Sequence, residues 1–160
     1  MVLVMGSLVA WLAVAIEDMR RFEINPWWVF AATASYLVAS ALNATPTPDT
    51  ILYSKTAWVV VVADRLLAGL VGVAGGLMIY LRRRSLIGQG DIYLFGAMFA
   101  VGGLKYLVLT VTLFAGFSFA TCLSYMAIRN KPFWKCGYPA GVPAAMTASA
   151  MIFVMFRIGG

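Results

Sequence analysis

The sequence predicts an all-α polytopic membrane protein with six transmembrane helices and both termini facing outward. Three observations predict it. First, 62% of the 160 residues are hydrophobic and 11% are charged. A soluble domain is roughly half apolar and about a quarter charged, so this chain has too few charges to cover a water-facing surface. Second, the apolar residues fall into long runs without charge. Third, the basic residues gather in alternate connections between those runs. The length allows one transmembrane domain, residues 1–160, with little chain left for a soluble part.

Residues 1–16 carry no charge before Glu17. They have the length of a signal peptide but lack a basic start. Glu17-Asp18-Met19-Arg20-Arg21 follows them instead of a small-residue cleavage site, so they read as a retained span. Residues 24–48 are also uncharged, with the span at 27–43. Thr45-Pro46-Thr47-Pro48-Asp49 then breaks the helix, and 44–57 becomes the longest outward connection. The third span lies in 56–81, interrupted by Asp64-Arg65, with its membrane core at 66–81. Gly72, Gly75 and Gly76 there allow close helix packing.

The run 92–104 is too short to cross a bilayer core of ~30 Å at ~1.5 Å per residue. Adding 86–91 makes a short fourth span and brings Asp91 inside the membrane-bounded part. Residues 106–128 form a 23-residue fifth span, and 136–156 the sixth. Pro139 and Pro143 fall in the opening turns of the sixth, where proline is tolerated. No internal repeat, low-complexity tract or domain boundary is visible.

Arg20 and Arg21 follow the first span, Arg82, Arg83 and Arg84 the third, and Arg129, Lys131 and Lys135 the fifth. These connections hold eight of the twelve Lys and Arg, whereas those after the second and fourth spans hold Lys55 and Lys105. Basic loops face the cytoplasm, which sets the outward termini. The net charge of +6 therefore reports orientation, and no nucleic-acid partner is expected.

Composition also narrows the chemistry. There is no His, which disfavours His-ligated metals and haem as well as Ser-His-Asp catalysis. Cys122 and Cys136 form no CxxC pair, so no zinc or redox motif is supported. Cys122, in an apolar run, reads as a packing residue, and the 9 Met likewise. No metal and no cofactor is expected.

Six acidic residues remain: Glu17, Asp18, Glu23, Asp49, Asp64 and Asp91. Asp91 follows Gly88-Gln89-Gly90, whose glycines let the backbone bend and approach closely. It admits two readings: a cap favoured by the helix dipole, or a functional carboxylate within a span. Asp18 admits two as well, an interfacial partner of Arg20 or Arg21, or a catalytic group. The topology joins them. Asp18 ends the first span and Asp91 begins the fourth, so both point to the cytoplasmic face. Two carboxylates sharing a low-dielectric site cannot both ionise easily. Such a pair can activate water, one as base and the other as proton donor to a scissile carbonyl.

Asp18-Met19-Arg20, Ile24-Asn25-Pro26 and Gly88-Gln89-Gly90-Asp91 together resemble the type IV prepilin peptidases, the GxGD aspartyl proteases of bacterial and archaeal inner membranes. Size and span number look most like the short, tight-adherence (Flp-pilus) branch. The resemblance covers nearly the whole chain in hydrophobic layout; its specific content is two short motifs. It implies catalytic roles for Asp18 and Asp91 and motif roles for Gly88 and Gly90. It implies a pilin-like precursor as partner, with its basic leader cut at the cytoplasmic membrane face. Two departures stand out. The family reads Ile-Pro-Asn where this chain has Ile24-Asn25-Pro26, and Lys where it has Tyr93. Tyr93 is either a hydrogen-bond donor to a carboxylate or an interfacial anchor. Longer relatives carry an insert with paired CxxC motifs and methylate the new N-terminus. This chain lacks the insert, so cleavage without methylation is expected.

Glu17 and Glu23 either receive the leader's positive charge or stand as solvated partners of Arg20 and Arg21. Arg82-Arg83-Arg84 sets topology and touches anionic lipid, at ~1 kcal/mol per residue. Trp27 and Trp28 read as belt residues. Tyr138-Pro139-Ala140-Gly141-Val142-Pro143 either shapes the site opening or simply starts a helix. Asp64-Arg65 reads as a local ion pair. Two rival functions remain: a catalytically inactive pilus-assembly protein, motivated by the Asn25-Pro26 and Tyr93 departures, and a small transporter using Asp91 as an ion site. Nothing in the sequence specifies the oligomeric state.

Overall fold

The computed structural model of the chain describes residues 2–21, 23–43, 57–82, 88–129 and 139–158. These residues are almost entirely helical: α1 (Val2–Arg21), α2 (Pro26–Asn43), α3 (Ala57–Arg82), α4 (Gln89–Gly102), a 3-10 turn (Leu104–Tyr106), α5 (Leu107–Arg129) and α6 (Gly141–Ile158). Among the described residues, three stretches are long and apolar enough to cross a membrane: Val2–Arg21, Val59–Arg82 and Leu104–Ile128. The apolar helices α2 and α6 have 18 residues each, about 27 Å at ~1.5 Å per residue. α4 has 14, about 21 Å by the same rise.

The helices meet the core through the expected period. Ser7, Trp11, Val14 and Asp18 are buried along one stripe of α1, at the i, i+4, i+7, i+11 spacing of a helix face. The stripe packs with Ala32 and Tyr36 of α2, Val101 of α4, and Ala148, Met151 and Ile152 of α6. Ser7 Oγ donates to the Ala32 carbonyl at 2.7 Å across the α1–α2 contact. Apolar side chains also cover the outside, among them Leu12, Leu70, Val108, Phe119 and Phe153, as a lipid-facing surface requires.

α3 and α4 lie closest together. Gly69, Gly72 and Gly76 face Ala100, Phe95 and Ile92 so tightly that any Cβ would press on α4. Gly75, grouped with Gly72 and Gly76 from the sequence, has no atom within 4 Å of its Cβ position. Helical rotation carries it off the shared face and brings Gly69 onto it. The order of contacts, Gly69 with Ala100 and Gly76 with Ile92, makes the two helices antiparallel. The tight α4–α5 turn rests on Gly103 at φ 72°, left-handed backbone that glycine adopts without a Cβ penalty.

α3 also runs unbroken through Asp64-Arg65, where an interruption was expected. The two side chains go to different partners. Asp64 Oδ2 accepts the Leu104 N–H at 3.2 Å. Arg65, 9% exposed, lies 5.2 Å from the centroid of the Tyr36 ring and donates to Met155 Sδ at 3.5 Å. Each side chain makes its contact on another element, although Arg65 Nη1 stays buried without a hydrogen-bond partner.

Other boundaries shift by a few residues. α4 begins at Gln89 and α6 at Gly141, so Pro139 precedes the last helix and only Pro143 lies in its first turn. At the start of α2, Asn25 Oδ1 accepts the Trp27 N–H at 3.0 Å, with Pro26 as the first helical residue. Asn as cap and Pro in the first position suit a helix start, so the Asn25-Pro26 order has a local structural reason. Trp27 and Trp28 are both exposed. The 44–56 connection, Arg83, Arg84, Cys136 and Tyr138 lie outside the described residues.

Candidate active site

The buried stripe of α1 ends on Asp18, which the same helical period carries inward, while Arg20 and Arg21 are exposed. Asp18 is 3% exposed. Its Oδ2 accepts the backbone N–H of Gly141 at 2.6 Å. Gly141 is the first residue of α6, so the carboxylate sits at the positive end of that helix. A Cβ on Gly141 would stand 2.9 Å from both Cβ and Oδ2 of Asp18. Only glycine leaves room for the carboxylate here. This inward contact, rather than a surface pair with Arg20 or Arg21, is where the Asp18 side chain goes.

Asp91 is the third residue of α4, and its Oδ2 accepts the Gly88 N–H at 2.7 Å. This is one half of a capping box; glycine has no side chain to complete the other half. The capping reading of Asp91 is therefore correct in geometry, and it also fixes the carboxylate at a helix start. Gly88 has φ −82° and ψ 166°, extended backbone open to any residue, so the chain does not use its conformational freedom. Gly90 matters more: its Cβ would come 3.1 Å from Ile24 Cβ. Ile24 lies six residues beyond Asp18, and this approach brings the chain after α1 onto the start of α4.

Asp18, near the end of α1, and Asp91, in the first turn of α4, thus occupy the same end of the bundle, where Ile24 beyond α1 approaches Gly90. Each uses one oxygen to accept a glycine N–H at the start of a helix. The remaining predicted residues have surroundings of their own. Glu17 is half-buried and lines a groove between the ends of α1 and α2. Glu23 is exposed. Tyr93 is 55% exposed and lines an apolar cleft of about 540 Å³ between α2, α3 and α4, with Pro26, Phe30, Leu70 and Gly96. It belongs to that cleft and not to the carboxylates. Among the described residues there is no group of three or more acidic, His or Cys side chains able to hold a metal.

Gly141 is the site residue that sequence reasoning left undecided. The Pro- and Gly-containing stretch at 138–143 pointed to its neighbourhood, but its contact lies 123 residues from Asp18. Comparisons with protein-family models, with curated proteins and with solved structures give no match.

Proposed function

We propose that this chain is a six-span aspartyl endopeptidase of the prepilin-peptidase type. It resides in the bacterial inner membrane with both termini outward. It cuts the basic leader from a pilin-like precursor at the cytoplasmic face. One observation carries the reading: two carboxylates from distant parts of the chain lie at the same end of the helix bundle, each accepting a glycine N–H at a helix start.

The chemistry follows from that pair. One aspartate takes a proton from a water molecule as its oxygen attacks the scissile carbonyl carbon. The other gives a proton to the carbonyl oxygen, producing a neutral gem-diol intermediate. The C–N bond then breaks, with a proton passing to the leaving amine and a carboxyl group remaining on the leader. Acid and base belong to the pair and not to either residue, because coupled groups titrate together. The glycine N–H bonds hold one oxygen of each carboxylate at a helix start and leave the other oxygen for the reaction. The basic residues ending α1, α3 and α5 are Arg20, Arg21, Arg82 and Arg129, and their clustering supports a cytoplasmic site end. Tyr93 lines the neighbouring apolar cleft, so the departure there falls on a residue with apolar surroundings.

Co-expression with a prepilin from the same genome tests the reading. The parent chain is expected to shift the precursor to its shorter form on a gel. Asp18→Asn and Asp91→Asn, at equal expression, are each expected to lower the rate by ~10²–10⁴-fold, the usual contribution of a positioned acid or base. Cleavage persisting in either variant removes the two-aspartate mechanism. No cleavage of several prepilins by the parent removes the peptidase reading.

A further inference from the structure

The ends of α1 and α2 enclose a groove of about 300 Å³, lined by Ala13, Ile16, Glu17, Arg20, Arg21 and Trp28. That is the lower end of the range for small-ligand sites, ~300–1,000 Å³. Three features make it more than a surface crease. Glu17 Oε2 is buried and has no hydrogen-bond partner, which is unfavourable for a carboxylate oxygen unless a cation or donor satisfies it. Two guanidiniums border the same groove. The rest of its lining is apolar, through Ala13, Ile16 and the half-exposed Trp28.

These features run in order along α1. Ala13 and Ile16 lie toward the middle of the apolar helix, and Glu17, Arg20 and Arg21 lie at its end. Arg20 and Arg21 follow Glu17 by three and four residues, the spacing that puts helical side chains on one face. The site therefore offers one carboxylate, two guanidiniums and an apolar floor at the edge of a membrane-spanning helix. A purely cationic ligand, such as a basic leader, would meet Glu17 but be opposed by both arginines. A purely anionic headgroup would satisfy the arginines and leave Glu17 unpaired.

We propose that this groove binds an aminophospholipid of the phosphatidylethanolamine class. The lipid phosphate pairs with Arg20 and Arg21, the primary ammonium donates to Glu17 Oε2, and the acyl chains run along Ala13, Ile16 and Trp28. The lipid would brace the helix turn next to Asp18. The inference goes beyond the peptidase reading and needs only that α1 sits in a membrane.

Native mass spectrometry of the detergent-purified full chain tests it, with parallel titrations of phosphatidylethanolamine, phosphatidylglycerol and phosphatidylcholine. Phosphatidylethanolamine is expected to be retained about tenfold better than phosphatidylglycerol, the scale of one hydrogen bond to a charged group. Glu17→Gln is expected to abolish that preference, and Arg20→Gln with Arg21→Gln to weaken retention of both lipids. Equal retention of these two lipids by the parent chain, or a preference that survives Glu17→Gln, overturns the proposal. Phosphatidylcholine, whose ammonium has no N–H, tests the unaltered chain: retention equal to phosphatidylethanolamine also overturns it. A Lys-rich leader peptide that displaces the lipid in a Glu17-dependent way would assign the groove to the leader instead. Because binding is read without cleavage, failure here is distinct from failure of the peptidase reading.

Discussion

Three glycines stand near the two carboxylates, and they differ in how much space they leave. A Cβ on Gly141 would press on Asp18 at 2.9 Å, one on Gly90 would press on Ile24 at 3.1 Å, and one on Gly88 would meet only Asp91 Oδ2, at 3.7 Å. Alanine variants should therefore rank in that order. Gly141→Ala is expected to cut prepilin processing by about 10- to 100-fold, as displacement of a catalytic group by a fraction of an ångström to an ångström does. Gly90→Ala is expected to have an intermediate effect, and Gly88→Ala the smallest. Processing rates at matched expression check the ranking, and a Gly88→Ala loss exceeding that of Gly141→Ala would contradict it. Gly88 and Gly90 were visible in sequence because they form a local string with Asp91. The Gly141–Asp18 contact was not, since no pattern within either helix reports a partner in the other. The motif also concealed a distinction. In sequence Gly88 and Gly90 look equivalent, yet only Gly90 sits where another segment presses against it.

At the scale of helices, the α3–α4 contact depends on missing side chains. The Cβ position of Gly72 falls against the Phe95 carbonyl and the Phe99 ring, whereas that of Gly75 is open. Gly72→Ala should lower the thermal midpoint in detergent by an amount corresponding to roughly 1–3 kcal/mol, the range for overpacking. Gly75→Ala should be neutral or slightly stabilising, because alanine is the better helix former by about 1 kcal/mol. Equal shifts would show that the contact is looser than described. Arg65 gives a second test. Its Nη1 is buried without a partner, so its charge is poorly compensated. Replacement of such a group by a well-packed apolar side chain is often neutral or stabilising by ~1–4 kcal/mol. Arg65→Met is therefore expected to keep or raise the thermal midpoint, and a drop of several degrees would mean the cation is better satisfied than its contacts indicate. The sequence suggested the wrong partner here. Asp64 and Arg65 are neighbours in the chain, but successive helical residues point about 100° apart. One therefore reaches the Leu104 turn and the other Tyr36 and Met155.

Across the whole molecule, hydrophobic layout was legible and depth was not. The uncharged runs correspond to the helices, since burial of the backbone in an apolar medium demands helical hydrogen bonding along each run. Boundaries moved where a cap or turn intervened, as at Asn25, Gly88 and Gly141. The proposed six-span topology makes its own prediction: a periplasmic reporter such as alkaline phosphatase is expected to be active when fused after Arg157 and inactive when fused within 83–87. The opposite pattern would invert the protein and remove the cytoplasmic site. Chain direction alone puts Asp18 and Asp91 at the same end of the bundle; the hydrogen bond each makes to a glycine at a helix start was not legible in the sequence.

The central claim is that Asp18 and Asp91 act as one unit. Cleavage rates in isolated membranes for Asp18→Asn, Asp91→Asn and the double variant, against one leader-bearing precursor, test it most directly. Groups that act as a unit are strongly non-additive. The expected result is that each single variant loses as much activity as the double, with all three equally expressed. Independent losses that multiply in the double variant, or cleavage retained by either single, would contradict the account.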